Sequence, residues 1–133
     1  MDRATVIEAV ATKARLDNRA DAERAAVETL RTLGRHVSAG EADDLAAVLP
    51  GELGDAVQAA SNEDPEELVL AEFVRQIAQR EGGDVDSDAA MVHARATMAA
   101  IAENGGHNAL QEAREQLPNE FASLFETDEL ASE

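Results

Sequence analysis

The stretch DDLAAVLPGELGDAV, residues 43–57, is matched later in the chain by QEAREQLPNEFASLF, residues 111–125. Both stretches contain a Leu-Pro pair, a glutamate two residues after the proline, and a large apolar residue directly after that glutamate. Proline disfavours helical geometry in the residue before it and is well tolerated at a helix start. Each Leu-Pro pair therefore predicts the end of one helix and the beginning of the next, at the same place in two copies.

When the two parts of the sequence are aligned so that Pro50 matches Pro118, apolar positions outside these stretches also match. This alignment places Val6 on Val74, Leu30 on Met98, and Leu33 on Ile101. Apolar positions coincide far more often than polar ones, as expected for two units that share a packing plan and have different surfaces. Units of this size rarely bury their apolar faces alone, so we expect the two copies to pack against each other.

The chain is predicted to be all-α. Apolar residues recur at helical spacing, and no segment shows the sustained alternation of a strand. The predicted helices cover residues 3–15, 20–37, 39–49, 51–59, 65–80, 87–103, 107–116 and 118–125. We expect these eight helices to form two pseudo-repeated four-helix units in one compact domain, with repeat 1 at 1–60, repeat 2 at 61–125, and a frayed acidic tail at 126–133.

Turn and cap residues separate the predicted helices. Asp17 or Asn18 is expected to cap the second helix, and the spacing of Ser38 and Glu41 matches a capping box for the third. SNEDPEE, residues 61–67, is expected to be the hinge between the units, with Asp64 as the cap of the fifth helix.

The excess of acidic residues argues against some classes of protein function. The chain has 28 acidic and 11 basic residues, a formal charge of −17, and no cysteine. Nucleic-acid binding is not expected, because phosphate contacts need a cationic surface. The opening residues do not match a secretion signal and no segment is long and apolar enough for a membrane span, so we expect a soluble, cytoplasmic protein. Acidic residues spread along the chain favour adaptation to high salt, with an acidic partner surface or a nucleic-acid mimic as the alternatives.

The order of motifs resembles a bacterial and archaeal family, domain of unknown function 2267, over about residues 5–125. The residues that carry the resemblance are Asp44-Leu45-Ala46-Ala47, Leu49-Pro50, Glu72-Phe73-Val74, Ser87-Asp88-Ala89-Ala90, His93-Ala94-Arg95, Gln116-Leu117-Pro118 and Leu124-Phe125. The resemblance implies an all-helical duplicated fold. It implies no activity and no catalytic residues.

The residues that could suggest a metal or catalytic site are explained by structural roles. The segment DVDSD, residues 84–88, resembles the start of a calcium loop but lacks the glycine and glutamate that close one, so helix capping is expected. No two histidines have the spacing of a metal pair on one helix face. Glu52 and Glu120 occupy matched helix starts, where carboxylates are favourable without catalysis. No catalytic residue, metal ligand or cofactor site is predicted.

The leading hypothesis is a non-catalytic protein-interaction or regulatory module that binds a protein partner or itself near the Leu-Pro turns, with no nucleic acid and no membrane as partners. One alternative is a small-ligand carrier or enzyme with a pocket between the repeats. Arg75, His93 and Arg95 are the candidate pocket residues, and His93 is also expected to be a buried structural histidine. The second alternative is an acidic nucleic-acid mimic that binds a basic partner.

Overall fold

A computed structural model describes residues 1–59 and 69–125. Within those ranges the chain is helical and contains no strand, which confirms the predicted all-α class. The helices are α1 (Arg3–Ala14), α2 (Arg19–Gly34), α3 (Ala39–Val48), α4 (Gly51–Ala59), α5 (Leu70–Glu81), α6 (Ser87–Ile101), α7 (His107–Glu115) and α8 (Ala122–Phe125). A kink at 102–106, where Asn104 and Gly105 leave helical geometry, joins α6 to α7, and a 3-10 turn at 119–121 precedes α8. Each helix in these ranges is too short or too polar to cross a bilayer.

The second four helices follow the order of the first four. Under the offset that places Pro50 on Pro118, the starts of α1, α2 and α3 fall on or next to the starts of α5, α6 and α7, and the start of α4 falls on the 3-10 turn before α8. The predicted hinge at 61–67, the boundary between residues 60 and 61 and the tail at 126–133 lie outside the described residues. The division into repeats therefore remains a prediction, and the order and bounds of the described helices support it.

Helices of the first half pack against helices of the second half. The first helix of each half packs against the second helix of the other, because α1 packs on α6 and α5 packs on α2. The equivalent pairs α2–α6 and α3–α7 also pack across the halves. This reciprocal arrangement lets each unit complete the core of the other.

The core combines many alanine and valine side chains with larger leucine, isoleucine, methionine and phenylalanine side chains. The three repeat-aligned pairs identified in the sequence are fully or almost fully buried: Val6 and Val74, Leu30 and Met98, Leu33 and Ile101. The rings of Phe73 and Phe121 meet edge to face with centroids 5.2 Å apart, which places an aromatic contact inside the second half.

Local capping signals are confirmed at several helix starts. The side chain of Asn18 accepts a hydrogen bond from the backbone N–H of Asp21, and Ser38 Oγ accepts one from the N–H of Glu41. In a complete capping box the side chain of Glu41 would also accept a hydrogen bond from the N–H of Ser38. Here Ser38 N–H instead donates to Gln116 Oε1 at 2.8 Å. Gln116 follows α7, so this bond joins the two halves.

Two predicted helix boundaries are wrong. α2 ends at Gly34, and Val37 is buried in the connection that follows rather than on the helix. α5 begins at Leu70, because Val69 has extended backbone and is exposed; the proposed cap Asp64 lies outside the described residues. By contrast, the predicted break between α6 and α7 is confirmed, because Asn104 and Gly105 leave helical geometry and Gly105 has a φ of 108°.

Candidate functional site

A pocket of about 360 Å³ lies where the beginning of α2 meets the turn between α5 and α6. Its volume is within the usual range for small-molecule sites. Residues of both halves line it: Leu16, Asp21 and Arg24 from the first, and Glu81, Gly82, Gly83, Asp84, Val85, Ala89 and His93 from the second. The pocket is therefore a feature of the packed pair of halves rather than of one half.

The turn between α5 and α6 shapes one wall of the pocket. Gly82 and Gly83 have φ values of 70° and 62°, a backbone region that favours glycine, and they end α5 directly after Glu81. Asp86 then caps α6 by accepting a hydrogen bond from Ala89 N–H at 2.8 Å. The predicted capping role of the DVDSD segment is confirmed at Asp86. Because residues four apart share a helix face, Ala89 and His93 both reach the pocket.

His93 and Glu81 form a buried pair at this site. The Nδ1 atom of His93 lies 2.9 Å from both carboxylate oxygens of Glu81, and the residues are 7% and 6% exposed. An ionised carboxylate only accepts hydrogen bonds, so Nδ1–H is the donor. In the neutral ring, Nε2 is then the hydrogen-bond acceptor. Glu81 fixes the tautomer of His93.

Arg24 connects the first half to this pair. Its Nη1 atom donates a hydrogen bond of 3.4 Å to the main-chain oxygen of Glu81, at the carboxyl end of α5, where a positive charge is favourable. Asp21 lies one turn earlier on α2, and Asp84 is an exposed residue of the pocket wall. Three carboxylates and one guanidinium therefore line the pocket, which gives it an excess of negative charge.

The structure does not bring together the three candidate residues of the sequence. His93 is buried, as expected, and lines the pocket. Arg75 is on the exposed face of α5, and its hydrogen bonds to Glu72 lower the pKa of that carboxyl. Arg95 follows His93 by two residues on α6; its Nε atom is buried with no hydrogen-bond partner in the described part of the chain. Neither arginine lines the pocket.

Two important residues of the pocket were not identified from the sequence. Glu81 precedes a Gly-Gly pair, which marks the end of a helix, but charged residues in the last turn are usually exposed. Arg24 is followed four residues later by Glu28, a possible partner on its own helix, so the sequence does not point to a contact with α5. The Gly-Gly turn identifies the end of α5, and only the packing of α2 on α5 shows that Arg24 reaches it.

The comparisons with known proteins identify a family and no activity. No curated protein matches the chain. The model of the uncharacterised conserved protein family DUF2267 matches residues 3–124, nearly the whole sequence. The chain therefore belongs to the DUF2267 family.

Proposed function

We propose that this protein is a small-molecule-binding module, and that its ligand is an organic amine held in the pocket between the two halves. The observation that carries the proposal is the orientation of His93 by Glu81 at the wall of a pocket of ligand size. A buried histidine with a fixed tautomer presents one defined polar atom to a ligand. The leading hypothesis from the sequence, a protein-interaction module, has no comparably specific contact in its support within residues 1–59 and 69–125.

The polar groups of the pocket favour a ligand that donates hydrogen bonds. Nε2 of neutral His93 accepts, and the carboxylates of Asp21 and Asp84 accept. The guanidinium of Arg24 already donates to the Glu81 carbonyl oxygen. An ammonium group therefore complements the site in charge and in hydrogen bonding, and the formal charge of −17 on the whole protein raises the local concentration of cations.

The remaining wall suits a short apolar group beside the ammonium. Leu16, Val85 and Ala89 line the pocket, and Leu16 and Val85 are partly buried against the core. Apolar surface with a few convergent polar groups is the usual composition of a small-molecule site. A short alkylamine is the simplest probe with both features.

The test is calorimetric titration of a short alkylamine, with the alkanol and the alkanoate of equal chain length as matched ligands. We expect the amine to bind best and the alkanoate least. Asp84→Asn removes one exposed carboxylate, and Ala89→Leu fills the pocket; we expect each to weaken amine binding about tenfold or more, since about 1.4 kcal/mol corresponds to a factor of ten. NMR spectra of the amine after incubation are expected to show it unchanged, because the proposal is binding without turnover.

Matched variants separate pocket binding from general attraction to an acidic surface. Asp55→Asn on α4 removes an exposed carboxylate that does not line the pocket, and His107→Gln removes an exposed histidine. Both are expected to bind the amine as the original protein does. Equal binding by Asp84→Asn and Asp55→Asn, or preferential binding of the alkanoate, would overturn the proposal.

We also propose that the acidic surface is an adaptation to a cytoplasm of high salt concentration. Its support is the excess of acidic over basic residues and their spread along the whole chain. In molar salt the Debye length is only about 3 Å, so a dense negative surface repels itself little and stays hydrated.

A further inference from the structure

A second cluster of acidic side chains lies away from the pocket, where α3 packs on α7. One carboxylate oxygen each from Glu41, Asp44 and Glu112 lies within 4.8 Å of the other two. Glu41 and Asp44 belong to the first half and Glu112 to the second. The offset that relates Pro50 to Pro118 also relates Asp44 to Glu112, so these two residues occupy equivalent positions in the predicted repeat and face each other between the two equivalent helices.

Glu41 is the unusual member of this cluster. It is only 8% exposed, and its Oε1 atom is buried with no hydrogen-bond partner among the described residues. Asp44 and Glu112 are exposed. A buried carboxylate without a hydrogen-bond partner destabilises the fold, because no protein contact compensates for its lost hydration.

The hydrogen bonding around Ser38 explains why Glu41 has no partner. In a capping box the glutamate side chain accepts a hydrogen bond from the N–H of the cap residue. Here Gln116 Oε1 accepts that bond, and Gln116 Nε2 also donates to Ser38 Oγ at 3.2 Å. The usual partner of the Glu41 carboxylate is therefore occupied by a residue of the other half.

The charged groups that shift the pKa of Glu41 are other carboxylates. Burial raises the pKa of Glu41 above its ordinary value, and the negative charges of Glu112, Asp44 and Glu115 raise it further. Three carboxylates that converge around a buried, unpaired oxygen provide the ligands that hard divalent cations prefer.

From this arrangement we propose that Glu41, Asp44 and Glu112 bind a divalent cation, Ca²⁺ in preference to Mg²⁺, which joins α3 of the first half to α7 of the second. Ca²⁺ takes about six to eight oxygen ligands in flexible geometry, whereas Mg²⁺ demands a near-ideal octahedron and gives up its water reluctantly. Three carboxylates from two helices, one of them buried, suit the more flexible ion. Water completes the coordination on the exposed side formed by Asp44 and Glu112.

The experiment is thermal unfolding, followed by circular dichroism, of metal-free protein at constant ionic strength with CaCl₂ or MgCl₂. A site of a few carboxylates open to solvent is expected to have a Kd of about 1 mM. At ten times the Kd, the ratio of folded to unfolded protein rises about tenfold, which corresponds to an increase in Tm of about 4 °C. We expect this increase with CaCl₂ and a clearly smaller one with MgCl₂.

Two variants separate the site from general screening of an acidic protein. Glu41→Gln retains the shape and removes the buried charge, so we expect a metal-free Tm at least as high as that of the original protein and no specific response to CaCl₂. Asp55→Asn, on the exposed face of α4, is expected to keep the full response. Backbone amide NMR should show CaCl₂-induced shifts concentrated at residues 41–44 and 112 in the original protein and absent from Glu41→Gln. The proposal fails if CaCl₂ raises the Tm of Glu41→Gln by the same amount, or if MgCl₂ matches CaCl₂.

Discussion

His93 on α6 and Glu81 at the end of α5 are paired inside the protein, with Nδ1 2.9 Å from each carboxylate oxygen. Both side chains are almost fully buried, and both line the pocket between the halves. Burying a carboxylate is expensive unless a partner and hydrogen bonds compensate for the lost hydration. The buried Glu81 carboxylate is therefore stabilised by its hydrogen bonds with His93.

The first prediction concerns the removal of His93. His93→Leu leaves the Glu81 carboxylate buried without its partner, and we expect the free energy of unfolding to fall by about 3–5 kcal/mol. The measurement is urea denaturation followed by circular dichroism. The double variant Glu81→Leu/His93→Leu removes both polar groups and should recover much of the loss. His107→Gln, at an exposed histidine, serves as the control. If the free energy of unfolding falls no further in His93→Leu than in this control, the buried Glu81 carboxylate does not depend on His93.

The second prediction concerns the crossing of α2 and α4. A Cβ atom added at Gly34 would overlap the main-chain carbonyl oxygen of Val57, and backbone atoms cannot move aside easily. We expect Gly34→Ala to lower the free energy of unfolding by about 1–3 kcal/mol, the usual cost of overpacking. The measurement is again chemical denaturation.

Gly40 provides the matched control for Gly34, because both lie in helices. A Cβ atom at Gly40 has no neighbour within 4 Å, so Gly40→Ala is expected to raise the stability by about 0.5–1 kcal/mol through the lower entropy of the unfolded chain. If both substitutions stabilise the protein, α2 and α4 do not approach each other as closely as described.

The order of the helices could be predicted from the sequence because its signals are local. A Leu-Pro pair ends a helix through the geometry of neighbouring residues, and side chains such as Asn18 and Asp86 cap a helix within one turn. Apolar residues at helical spacing identified the buried faces for the same reason. Each of these effects operates over a few residues and requires no knowledge of the partner helix.

The candidate sites depend on contacts between distant residues. Glu81 and His93 are 12 residues apart, on helices whose relative placement follows from the whole core. Ser38 and Gln116 are 78 residues apart, and no local pattern shows that Gln116 takes the position of Glu41 in the capping box. Arg75 was a candidate neighbour of His93, but its partner in the structure, Glu72, is on its own helix.

The third prediction is a pH-dependent contribution from Arg3. Arg3 on α1 donates hydrogen bonds to Glu23 on α2 and to Glu52 on α4, the latter at 2.6 Å. The bond from Arg3 lowers the pKa of Glu23 below its ordinary value of 4.5. Because the folded pKa is below the unfolded one, this stabilisation is complete above the unfolded value and is lost as the pH falls through the folded value.

Arg3→Gln is therefore expected to be slightly less stable than the original protein at neutral pH, and the difference should disappear in acid. Screened surface pairs contribute little, so the effect is small. Urea denaturation at a series of pH values tests it. Arg80→Gln, at an exposed arginine on α5, is the control and should show no comparable change with pH. A difference between Arg3→Gln and the original protein that stays constant into acid would show that Arg3 acts through packing alone.

The fourth prediction concerns salt. With a formal charge of −17 the folded chain repels itself, and this repulsion weakens as the Debye length falls from about 10 Å at 0.1 M to about 3 Å at 1 M salt. We expect the urea midpoint to rise with KCl over this range. A variant that combines Glu8→Gln, Asp17→Asn and Asp55→Asn, three exposed positions on different parts of the first half, should start from a higher midpoint at low salt and show a shallower rise. If instead the midpoint of the original protein is independent of KCl, self-repulsion does not limit its stability and the salt-adapted interpretation of the surface loses its basis.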